Sequence, residues 1–78
     1  MFELNKVYKA VEIRTGIEYR IFPWFDAYEE YEPCFVVAIV KNGVPTWNHS
    51  FIDTWDMDSE FPSSEFDISV LAEVLTLV

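Results

Sequence analysis

Residues 34–44, CFVVAIVKNGV, restrict the fold of this chain more than any other stretch. Asn-Gly supplies the two central residues of a type I′ turn, both of which need positive φ, and the twist of that turn matches the twist of paired strands. Seven apolar and mostly β-branched residues lead into it. The pattern predicts a hairpin joining residues near 34–41 to residues near 44–51. Pro45 falls in the return strand and has no amide proton for a second ladder, so that strand belongs at a sheet edge. The leading strand is apolar on both parities and therefore needs cover on both faces.

Period-two alternation extends the sheet. Val7, Val11 and Ile13 share one parity, and Tyr8, Ala10 and Glu12 the other. A turn at Thr15-Gly16 leads to Ile17, Tyr19 and Ile21, which alternate with Glu18 and Arg20, and Pro23 closes that strand. Between Pro23 and Pro33 the chain is aromatic and acidic, with room for one helical turn near 26–31. At the other end, Ser64-x-x-Asp67 after Pro62 resembles a capping box. Ile68, Leu71, Val74, Leu75 and Val78 follow at spacings of three and four, which reads as a helix from about residue 64, although EVLTLV also reads as a final strand. The expected architecture is one α+β domain spanning 1–78: a small antiparallel sheet of about four strands with one C-terminal helix packed on it. A single helix covers one face. The aromatic segment or a second copy of the chain must cover the other, which makes a homodimer an expectation.

A chain of 78 residues buries only about 60% of the surface exposed by its unfolded form. One cysteine, Cys34, precludes an internal disulfide, and the sequence has no Cys/His cluster of zinc-binding spacing. Stability must come from side chains, and the 3 Trp, 4 Tyr and 7 Phe can supply it, each ring burying about 150–250 Å². The longest apolar run falls far short of the ~20 residues that span a bilayer. The opening residues contain no apolar signal core, and the lone thiol suits a reducing compartment. A cytoplasmic location is expected. Asn48-His49-Ser50 matches a glycosylation tripeptide, whose use would require a secretory route.

Charge is the second constraint. The formal net charge of −9 repels nucleic acid and anionic membranes. Its distribution is uneven: residues 1–41 hold seven acids and all five basic residues, whereas residues 42–78 hold seven acids and no Lys or Arg. Six of the acids lie in DTWDMDSEFPSSEFD, residues 53–67. Asp56, Asp58, Glu60 and Asp67 superficially follow calcium-loop spacing. However, Phe61 stands where that loop needs glycine, Pro62 follows it, and the twelfth position is Asp rather than Glu. No metal or cofactor is expected.

Catalytic chemistry finds little support. A two-residue Asn-Gly loop would place Val36 opposite His49, with Cys34 one diagonal step away on the same face. A thiol–imidazole pair can seed a nucleophilic site, but no oxyanion hole or third member accompanies it, and a buried structural cysteine accounts for Cys34. The chain reads as a non-enzymatic binding protein. Trp24 and Trp47 read as core residues. Trp55, set among carboxylates, reads either as a partner-facing anchor or as a pin holding its loop. The segment Tyr28–Glu32 repeats the pairing of acids with rings. The candidate partner-binding residues are Asp53, Trp55, Asp56, Asp58, Glu60, Glu29, Glu30, Tyr31 and Glu32. A face of this kind would attract a basic groove and stack on guanidinium planes.

In size, acidity and small α+β character the chain resembles phage-encoded inhibitors of host defence: anti-CRISPR, anti-restriction and DNA-mimic proteins. The resemblance lies in bulk properties and transfers no residue roles. It implies an inhibitor that blocks the basic groove of a nucleic-acid-handling host protein without touching nucleic acid or membrane itself. The alternative is a small adaptor or assembly protein that binds through its aromatic surface.

Overall fold

The computed structural model describes residues 2–25, 28 and 30–74, with residues 47–49 as backbone only. Five strands form one antiparallel sheet: β1 (Lys6–Glu12), β2 (Glu18–Trp24), β3 (Cys34–Lys41), β4 (Val44–Asp53) and β5 (Phe66–Glu73), in the order β4-β3-β2-β1-β5. The first four are a meander of adjacent antiparallel strands. The fifth returns to pair with β1, so β4 and β5 are the two edges. Between them the chain passes through a 3-10 turn (Thr54–Asp56) and the short helix α1 (Met57–Glu60). The fold is thus an α+β antiparallel sheet with one short helix packed on it, as the sequence leads one to expect.

The Asn-Gly turn has the predicted conformation, with Asn42 at φ 54° and Gly43 at φ 78°, closing a Lys41–Val44 pair. Pro45 does lie on an edge strand. Pro23 does not end β2, because it is still paired with Phe35 of β3. The last β1–β2 pair is Tyr8 with Ile21, so at Pro23 the β1 side is already open and the missing amide interrupts no ladder there.

One sheet face carries the core. Tyr8, Ala10, Ile21, Phe35 and Val37 are buried there, and the connection from β4 to β5 drives Met57 and Phe61 onto them. Phe61 packs edge-to-face on Phe66, Tyr19 and Phe2, with centroids 4.9, 5.8 and 6.3 Å away. Phe2 also stacks edge-on against Tyr8 at 4.9 Å. The Tyr8 hydroxyl, although buried, accepts a hydrogen bond from the Glu3 amide at 2.7 Å. Truncating a ring placed like Phe61 costs about 3–5 kcal/mol. The clustered rings supply what a disulfide supplies in other domains of this size.

Two sequence expectations fail here. The sheet has five strands rather than about four, and the helix is not C-terminal. Residues 66–73 form β5, while the helical turn lies earlier, at 57–60; the final strand read from EVLTLV falls mostly on residues 75–78, outside the described residues. Phe66 and Ile68 alternate with Asp67 and Ser69, a period-two pattern that outcompetes the stripe from Ile68 to Val74 because β1 offers an open edge. Ser64 caps no helix. Instead the Glu65 and Phe66 amides both donate to the Pro62 carbonyl, forming the turn into β5. Residues 75–78 of the expected helix lie outside the described residues, as do Asp26, Ala27 and Glu29 of the expected turn between the prolines.

Candidate functional site

Among the described residues, no helix lies on the face of the sheet opposite the core. Its side chains fall into rows set by register. Lys9 of β1, Arg20 of β2 and Ala38 of β3 form one row; Phe22, Val36 and Phe51 form the next; Trp24, Cys34 and Asp53 form the last. Cross-strand neighbours in such rows have Cβ atoms about 4.5–5.5 Å apart, so each row is a contact set. Glu18 is 3.0 Å from Arg20 and 4.0 Å from Lys9. The face therefore runs from a charged patch through an apolar row to a mixed aromatic and acidic end.

A register shift in the β3–β4 pair creates that last row. Val40 pairs with Pro45, but Ala38 pairs with His49, so three residues of β4 stand where β3 has Ile39 alone. The irregularity advances the rest of β4 by two positions. Cys34 consequently faces Asp53, and Val36 faces Phe51 rather than His49. The diagonal Cys34–His49 relation expected from an unbroken ladder does not occur.

The same end of the sheet receives the chain entering β3. Tyr31 and Glu32, from that segment, join Trp24, Cys34, Phe51 and Asp53 around an open groove of about 410 Å³. The Trp24 and Phe51 rings meet nearly at right angles, 77° with centroids 5.4 Å apart, and form a corner. Phe51 and Tyr31 are 58% and 69% exposed, respectively. Cys34 is buried beneath them. Burial pushes its thiol pKa up and the Asp53 carboxylate pushes it the same way, so Cys34 is a protonated, weakly nucleophilic floor rather than a reactive group.

The candidate binding residues separate into two places. Asp53, Tyr31 and Glu32 share the groove. Trp55, in the 3-10 turn, is 78% exposed, so it does not pin its loop; Met57 and Phe61 do that. Asp56, Asp58 and Glu60 are exposed around α1. Helical geometry of 3.6 residues per turn sends Asp58 nearly opposite Asp56 and Glu60. Asp58 indeed lines a second, smaller depression with Phe2, Phe61 and Ser64. Among the described residues no three metal-ligating side chains come together. Glu30 is exposed beside Tyr31, and Glu29 lies outside the described residues.

Trp24 is the residue that sequence reasoning misplaced. It lies half-buried on the open face, away from the core cluster. Its parity, shared with Phe22 and opposite to Ile21, carries that information once β2 is allowed to run past Pro23. Trp47 is described only as backbone. No helix among the described residues is long and apolar enough to cross a membrane. No family model, curated protein or solved structure matches the chain.

Proposed function

We propose that this is a non-enzymatic acidic binding protein that occupies a basic groove of a nucleic-acid-handling protein and so excludes nucleic acid from it, as an inhibitor of the DNA-mimic, anti-restriction or anti-CRISPR kind encoded by a phage or mobile element and acting in the host cytoplasm. The observation that supports the reading is the exposed run Asp53, Trp55, Asp56, Asp58 and Glu60, in a half of the chain without a single Lys or Arg. Glu30 and Glu32 approach the same sheet end, because Cys34 and Asp53 are paired. Carboxylates displayed this way substitute for phosphates, and the large exposed indole supplies an apolar anchor.

Reversing Asp56, Asp58 and Glu60 to Lys tests it. These exposed acids contribute little to folding, so circular dichroism and Tm should hardly change. The wild type, immobilised on a column, should retain a nucleic-acid-binding protein from host lysate, release it on a rising salt gradient and displace nucleic acid from it. The triple variant should retain none. Capture by the variant at unchanged salt would sink the reading.

The aromatic corner of Trp24 and Phe51 favours a second reading, an adaptor that joins proteins through the open face, with a homodimer as its simplest form. Such contacts are less weakened by salt than a charge-led one.

A further inference from the structure

We infer that the groove between Trp24, Tyr31, Phe51, Glu32 and Asp53 is a receptor for one arginine side chain of a partner protein. The inference deepens the proposal of a basic partner by naming the atoms that would recognise it, and it rests on that proposal for the identity of the arginine's owner.

Three features of the groove select this occupant. First, its walls are rings and its rim is acidic. Trp24 and Phe51 form the 5.4 Å edge-to-face corner, Tyr31 stands at the mouth, and, among the described residues, Glu32 and Asp53 supply the charges on the lining. A cation over a ring face is attracted by the ring quadrupole, most strongly over Trp. Second, neither carboxylate belongs to an ion pair among the described residues, where the cationic partners are Lys6, Lys9 and Arg20. Lys9 and Arg20 are held by Glu18, a full row beyond Phe22 and Val36 on the same face. Arg14 and Lys41 belong to the turns at the opposite end of the sheet. Among the described side chains, the groove therefore has acceptors and no cation. Third, its volume of about 410 Å³ falls within the range of sites that enclose a side chain or small ligand.

Guanidinium fits these features better than ammonium. It is planar and weakly hydrated, so one face can lie on an indole while its edge donates two parallel hydrogen bonds to a carboxylate. Asp53, fixed in register beside Cys34 at the end of β4, is the better-held carboxylate for the bidentate contact. Glu32, in the segment leading into β3, closes the other side. The protonated Cys34 beneath adds no competing charge.

The test uses the intact chain and small probes in place of a partner. N-acetyl-arginine methylamide is titrated into the ¹⁵N-labelled protein, alongside N-acetyl-lysine methylamide and tetramethylammonium. Arginine should shift the Trp24 indole N–H and the amides of Cys34 and Asp53, saturating at millimolar concentration, with the lysine probe several-fold weaker. Asp53→Asn should weaken arginine binding at least several-fold while leaving the spectrum otherwise native. Trp24→Phe, which keeps a ring in the corner, should weaken it less than Trp24→Leu. Equal binding of all three probes, or tighter binding of tetramethylammonium, would overturn the guanidinium assignment. An absence of shifts at Trp24 and Asp53 would overturn the site itself. Neither result depends on the lysate capture, so this inference and the acidic-partner proposal can fail separately.

Discussion

Cys34 shows how much one side chain's surroundings decide. Exposed, a lone thiol near a histidine would be a candidate nucleophile; here it is buried opposite Asp53, and both effects raise its pKa. The folded chain then keeps the thiol proton at a pH where the unfolded chain, with a thiol near pKa ~8.5, gives it up. Stability is therefore indifferent to this group below that pH and falls as the pH climbs from the unfolded toward the folded pKa. Iodoacetamide should alkylate the native protein several-fold more slowly at pH 8.5 than the urea-unfolded chain. Asp53→Asn should narrow the gap by removing the smaller of the two causes. Equal native and unfolded rates would mean that the thiol is not buried.

Strands and turns differ in how firmly local sequence dictates them. At Gly43 a Cβ would meet no atom within 4 Å, yet φ is +78°, so a substitution there is opposed by backbone strain rather than by crowding. Gly43→Val should cost about 1–2 kcal/mol, the penalty of the left-handed region for an L-residue, and a β-branched side chain belongs at the upper end. Gly43→Asn should cost much less, since Asn42 already adopts φ 54° beside it. Urea denaturation measures both, and a Val variant as stable as wild type would show that the turn does not require positive φ. The edges carry their own protection. β4 has Pro45 and the irregularity before His49, and β5 is kinked where Leu71 is extra between the Val7–Ala72 and Tyr8–Val70 pairs. Bulges and prolines of this kind discourage open edges from recruiting further strands.

Over the whole molecule, charge and apolar surface act in opposite directions. The uncovered face offers Phe51 and the half-buried Phe22 and Trp24 to a second copy, while −9 on each chain opposes association. Salt screens that repulsion. If the proposed homodimer forms through this face, sedimentation at high micromolar concentration should show it growing from low to 1 M salt. Binding of a basic partner should change the opposite way. A 9.2 kDa species at every salt concentration would leave the face to a partner of different chemistry.

Local chemistry made the Asn42-Gly43 hairpin, the β1 and β2 alternation, the edge position of Pro45 and the one-sided charge of residues 42–78 legible in the sequence. Each depends on neighbouring residues or on composition. Where two periodicities coexisted, as in residues 66–74, the choice lay outside the segment: the open edge of β1 satisfied the backbone as a strand, and tertiary pairing outweighed the helical stripe. The groove was less legible still. Asp53 and Trp24 are far apart in sequence; Trp24 meets Cys34 through the β2–β3 register, and Asp53 joins that row only because β4 inserts two extra residues against Ile39. The local sequence carries no clear sign of that shift. It is decided by the sheet as a whole, where Phe35 and Ile52 pair on the core side and their burial sets which residues are left facing outward beside Cys34.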